Sequence, residues 1–171
     1  PGKVVACFRA RRTIQEIADP KALEYSKYLW NRLSGEKQYE VDTSKFTDVF
    51  MMLDDEETED LVFLYLQKMG WYVVPNSRKV DTMSFEYLAV KPDSGEKALT
   101  QVKTGNIALN TEQYSVYSEN VYLFQSNELY SGNCPANVTC LKKKDLYQFL
   151  IDSLDWLPSV FKTKHQMVSG G

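Results

Sequence analysis

The sequence predicts an α/β fold, a mixed β-sheet flanked by helices, in one compact domain. Three observations lead there. An amphipathic helical pattern over 54–69 runs straight into an apolar run, WYVV. Two strand-like runs, SFEYLAV and KALTQVK, flank Pro92-Asp93-Ser94-Gly95, the composition of a tight hairpin turn. Short apolar runs, VYLF and NVTCL, then lead to a closing amphipathic helix. The 171 residues are enough for a full hydrophobic core, and 43% hydrophobic with 25% charged residues is a globular composition.

Taken in order, KVVACFRA reads as a strand that leads into a cluster of Arg9, Arg11 and Arg12. Asp19-Pro20 opens a helix through about Leu33, with Leu23, Leu29, Trp30 and Leu33 at helical spacing. SGEKQYEVDTS is a polar connection. Asp54 caps the next helix, and Glu57 three residues on completes a capping box. Acids crowd the first turn, where the helix dipole favours them. Leu61, Val62, Tyr65, Leu66 and Met69 form its apolar stripe, and Gly70 is the expected stop. WYVV follows as a short buried strand, and PNSRKVDTM is a loop before the hairpin. NTEQYSVYSEN reads as a short helix capped by Asn110 or Thr111. VYLF and NVTCL are buried strands, and KKKDLYQFLIDSLDWL is an amphipathic helix stopped by Pro158. This divides the chain into an N-terminal accessory strand and helix (1–45), a core (46–153) and a C-terminal tail (154–171). A start of PGKVV without Met and an end of VSGG are expected of a piece of a larger protein.

A formal net charge of −3 argues against nucleic-acid binding by bulk positive charge. It is compatible with an acidic site whose metal ion supplies the missing charge. Cys7, Cys134 and Cys140 make an odd count. Cys134 and Cys140 could pair or share a metal, but no second pair completes a zinc set, so reduced thiols in a cytoplasmic protein are expected. The one histidine, His165, excludes sites that need two. No run is long and apolar enough to span a membrane, and no signal peptide is visible.

The chemistry concentrates in the hairpin. With 92–95 as the turn, Lys91 faces Glu96, Glu86 faces Gln101 and Ser84 faces Lys103. Residues opposite one another point to the same face, so Glu86, Gln101 and Lys103 are expected to converge. A register shift of one residue would undo this. Asp81 sits at the mouth of the same hairpin. A carboxylate and an amide oxygen suit a hard divalent cation such as Mg²⁺, which prefers oxygen ligands and keeps several waters. The lysine would orient or help deprotonate a water, or neutralise a phosphate. A third acid comes from the DDEETED helix, where Glu57 and Glu59 lie on opposite flanks of the apolar stripe and helical phase does not choose between them.

The ordered set of acidic helix, GWYVV strand, acid on the next strand and QVK resembles the PD-(D/E)xK nuclease superfamily, the restriction-endonuclease-like fold. The glutamine in its last motif resembles the Mrr-like branch associated with restriction of foreign DNA. The resemblance covers roughly 46–153. It implies a restriction-endonuclease-like mixed β-sheet flanked by helices, Mg²⁺ (or Mn²⁺) dependence and cleavage of DNA. On it, Gln101 and Lys103 take the places of the motif's acid and lysine, and Glu59 that of the helix glutamate. The first acid is Glu86 or Asp81. The family's habit of placing an aspartate at the strand start favours Asp81; spacing and cross-strand register favour Glu86, leaving Asp81 an outer ligand. Gln101 is neutral where the family carries a carboxylate, which lowers expected metal affinity, and the loop before it lacks the usual Gly-rich, Asp-containing pattern.

The opposite reading is an amphipathic strand with one solvent-facing side, in a nuclease-like module that binds nucleic acid or a partner protein without cutting. Arg78 and Lys79, just before Asp81, are placed to touch a DNA backbone. Lys142, Lys143 and Lys144 open a helix, where cations are unfavourable, and so read as candidate phosphate contacts. Tyr114 and Tyr117 could stack on bases, with core packing the commoner role. Cutting both strands of a duplex is expected of a homodimer, since one such site cuts one strand at a time.

Overall fold

The hairpin is the seed of the sheet, because its turn sets the pairing of every residue behind it. In the computed structural model, which describes residues 17–74 and 85–170, β2 (Tyr87–Val90) pairs antiparallel with β3 (Lys97–Lys103). Tyr87 faces Thr100 and Val90 faces Lys97, and Lys91 N donates to Glu96 O at 2.9 Å. Extended one residue, this pairing puts Glu86 opposite Gln101, the register expected from the turn.

β1 (Tyr72–Val74) adds antiparallel to β2, while β5 (Asn120–Gln125) and β7 (Val138–Cys140) continue the sheet parallel to β3. The sheet is therefore mixed, in the order β1-β2-β3-β5-β7. A small second sheet joins β4 (Leu109–Asn110) to β6 (Tyr130–Ser131). Among the described residues the strand expected to be buried, WYVV, is the sheet's edge: Trp71 is buried, but Tyr72 and Val74 are exposed and only Val73 turns inward. One face of this strand packs inward and the other is open to solvent, so alternation returns.

α3 (Asp55–Lys68) covers one face, with Phe63 edge-on to Tyr87 and Tyr65 edge-on to Phe149 of α4 (Lys143–Ser153). The other face carries Val121, Leu123 and Val138, packed with Leu109, Tyr114 and Tyr117. The short helix expected over 110–120 is only a single 3-10 turn, Thr111–Tyr114, capped by Asn110. Its apolar residues are used on this face: Tyr114 is buried and Tyr117 half-buried, both against Phe85.

These elements form one unit, Leu53–Pro158. A second unit joins the chain before Leu53 to Ser159–Gly171. In it, α1 (Pro20–Ser34) starts at Asp19, whose side chain accepts from Lys21 N. With α2 (Val49–Met52) and α5 (Ser159–Ser169) it surrounds Phe46, Met52 and Met167. The stretch expected to be a tail thus holds a helix: Phe161, Thr163, Lys164 and Met167 are its buried residues, a helical periodicity that begins after Pro158. The predicted strand KVVACFRA, with Cys7, Arg9, Arg11 and Arg12, and the loop residues Arg78, Lys79, Asp81 and Ser84 lie outside the described residues.

Candidate active site

Strand alternation places Glu86, Gln101 and Lys103 on the face opposite α3. There they form one bonded group. Gln101 Nε2 donates to Glu86 Oε1 at 2.8 Å, and Lys103 Nζ pairs with the same oxygen at 3.3 Å. Gln101 is buried, while Glu86 and Lys103 keep side-chain exposures of 23% and 37%, so the group opens from a buried floor to solvent. A carboxylate accepts and cannot donate, so it selects the amide's NH₂ end and turns the amide oxygen away from itself. Among the described residues, nothing donates to Glu86 Oε2 or to Gln101 Oε1.

A second set of groups reaches the end of β3 from α3. Asp55 and Glu59, four residues apart on one helix face, line a pocket of about 120 Å³ together with Val102, Lys103, Thr104 and Ile107. Thr104 Oγ1 also donates to Asp55 Oδ1, tying the start of α3 to the end of β3. Glu86 and Gln101 are not walls of this pocket; Lys103 is the residue the two sets share. The structure gives Glu57 and Glu59 different surroundings. Glu57 Oε2 accepts from Asp54 N at 2.8 Å, so its carboxylate serves the helix start, and Glu59 faces the pocket. Asp55 was missed in the sequence because a residue just after an N-cap reads as dipole stabilisation; its spacing of four from Glu59 was the available signal.

Gln125 was also missed. It sits beside Lys103 in register and is fully buried. Its Nε2 donates to Gly105 O and Ile107 O at 2.8 and 3.1 Å, and its Oε1 accepts from Asn127 N and Leu129 N at 2.6 and 3.0 Å. One amide thereby joins the loop after β3 to the turn after β5. Gly105 takes a positive φ of 62° in that loop, which a side chain would strain.

The C-terminal ends of β3, β5 and β7 lie at one end of the sheet, since all three run parallel. Lys142 follows β7 by two residues, level with Gln125, and so sits roughly 10 Å across two strands from Lys103. Crevices at the carboxyl ends of parallel strands commonly hold ligands. The cationic start of α4 has a structural partner as well: Glu128 Oε1 accepts from Lys143 N at 3.1 Å, supplying the negative charge that a helix start favours. Asp81, Arg78 and Lys79 cannot be placed against this site, being outside the described residues.

The donor set fits a hard divalent cation in its chemistry: Glu86, Gln101, Glu59 and Asp55 offer only oxygens. Among the described residues, no three His, Cys, Asp or Glu side chains gather into a metal-holding set. An ion that retains most of its waters needs only one or two carboxylates. Among those residues no helix is long and apolar enough to cross a membrane. No protein-family model matches the chain, and neither a curated protein nor a solved structure matches it.

Proposed function

We propose that the unit Leu53–Pro158 is a metal-dependent endonuclease that hydrolyses DNA phosphodiester bonds. The observation that carries this reading is the convergence of Glu86, Gln101 and Lys103 on one sheet face, with two oxygens of the group left without donors among the described residues. Glu86 and Gln101 would hold Mg²⁺ or Mn²⁺, and Glu59, which lines the pocket at the end of β3 rather than their face, would reach the ion through water; the ion would supply Lewis acidity and a more acidic water. Lys103 orients the attacking water and offsets charge on the phosphate. Glu59 and Asp55 bound the pocket beside it. The restriction-endonuclease-like topology, a role in defence against foreign DNA and action as a homodimer belong to the same proposal and rest on the motif resemblance.

Incubation of the purified protein with DNA and Mg²⁺ is expected to give chain scission, stopped by EDTA. Lys103→Ala is expected to slow it by about 10²–10⁴-fold, the usual worth of a positioned proton-transfer group. Equal cleavage by wild type and Lys103→Ala would remove Lys103 from the site.

One observation favours a second reading, a nuclease-fold module that binds nucleic acid or a partner without cutting. Gln101 is neutral and Lys103 already neutralises Glu86, so the group is balanced without a metal. A DNA-binding signal with no scission in Mg²⁺ or Mn²⁺ would select it.

A further inference from the structure

Lys103 and Gln101 contact the same oxygen of Glu86, at 3.3 and 2.8 Å, and of the three only Glu86 is negative and only Lys103 positive. A dication approaching Glu86 therefore meets a charge already spent on an ammonium. With a carboxylate in place of Gln101 one negative charge would be left over; with an amide none is. We propose that Lys103 competes with the divalent cation for Glu86, so that the protein's own lysine holds down the metal affinity of its site. This inference rests on the metal-dependent reading above.

The competition follows from charge and reach. The ammonium is a compact, strongly hydrated point charge on a flexible stem, and at 37% side-chain exposure it can swing away from Glu86 into solvent. Displacing it costs the ion pair and leaves like charges within a few ångströms, a repulsion weakened by water and salt at this half-exposed position. Such a residual repulsion corresponds to roughly three- to tenfold in metal affinity. A lysine that only orients water predicts a different result: its removal would stop catalysis and leave metal affinity where it was. Competition makes the two effects run in opposite directions.

Calorimetric titration of Mn²⁺ alone into the full chain separates these cases. Wild type, Lys103→Met, Lys103→Gln and Glu86→Gln are compared, each checked for a native circular dichroism spectrum. Both lysine variants are expected to bind Mn²⁺ three- to tenfold more tightly than wild type, and Glu86→Gln to lose the site. Affinity that is unchanged or weaker in both lysine variants, beside a Glu86-dependent site in wild type, overturns the competition and leaves the metal reading standing. Absence of any Glu86-dependent heat in wild type and both lysine variants overturns the two together.

Discussion

Gln125 is the side chain on which the shape of the site's rim most depends. It is buried beside Lys103, and its four hydrogen bonds all go to backbone of two different loops. Gln125→Leu keeps the bulk and removes every bond, and is expected to cost about 1–3 kcal/mol in urea unfolding, since four backbone groups of the two loops lose a partner at once. Cys140 gives a pH signature. Burial, and then its neighbour Cys134, pushes the Cys140 thiol up to about 11 from an ordinary 9.0. A thiol raised in the folded state favours folding fully below pH 9.0, and that contribution is lost as pH rises through about 11. Wild type is therefore expected to lose stability relative to Cys140→Ala across that window, measured as the difference in their unfolding midpoints. Gln125 could not be singled out from the sequence, and Cys140 stood out there only as a possible partner of Cys134: a glutamine at a strand end and a cysteine in a strand look ordinary until the loops packed on them are known. Glu86, Gln101 and Lys103 were legible, because a four-residue turn and a period of two are enough to count a hairpin register.

Helix ends show the same contrast. The capping box of α3 was readable because it is local: Asp54 and Glu57 lie three residues apart and exchange bonds of 2.8 Å. Asp54→Ala is expected to lower stability by about 1 kcal/mol, while leaving the pocket acids Asp55 and Glu59 in place. The start of α4 was not readable, because its acid, Glu128, comes from 15 residues away. Glu128 also holds a positive φ of 56°, a conformation unusual for a residue other than glycine. Glu128→Gln is expected to cost about 0.5–1 kcal/mol at low salt, and less at high salt. Glu128→Gly is expected to cost less than Glu128→Gln, since relief of the backbone offsets part of the lost charge. The start of α4 thus has a structural neighbour at Lys143 whether or not a phosphate visits it. The short helix over 110–120 and the burial of WYVV were misread for a related reason: tertiary packing spends Tyr114 and Tyr117 on the sheet, and an edge position exposes Tyr72 and Val74. α5 was overlooked because a polar, Lys-containing segment near a terminus shows its apolar spacing only faintly.

For the molecule as a whole, the parallel half of the sheet sets where the candidate site lies. β3, β5 and β7 end together, and around the end of β3 stand Lys103, the Asp55–Glu59 face of α3 and the loop held by Gln125. The antiparallel half, β1-β2-β3, supplies Glu86 and the buried Gln101. A mixed sheet therefore brings a carboxylate from one half to a lysine at the end of the strand that both halves share. A crystal structure of the protein soaked in Mn²⁺, with anomalous difference density collected at the manganese edge, examines this arrangement without any assumption about substrate. The expected result is one peak within coordination distance of Glu86 and the Gln101 amide oxygen, with Lys103 drawn away from Glu86. Manganese bound elsewhere, with the Glu86–Lys103 pair intact and Gln101 still turned to Glu86, would contradict a metal-dependent site on this face.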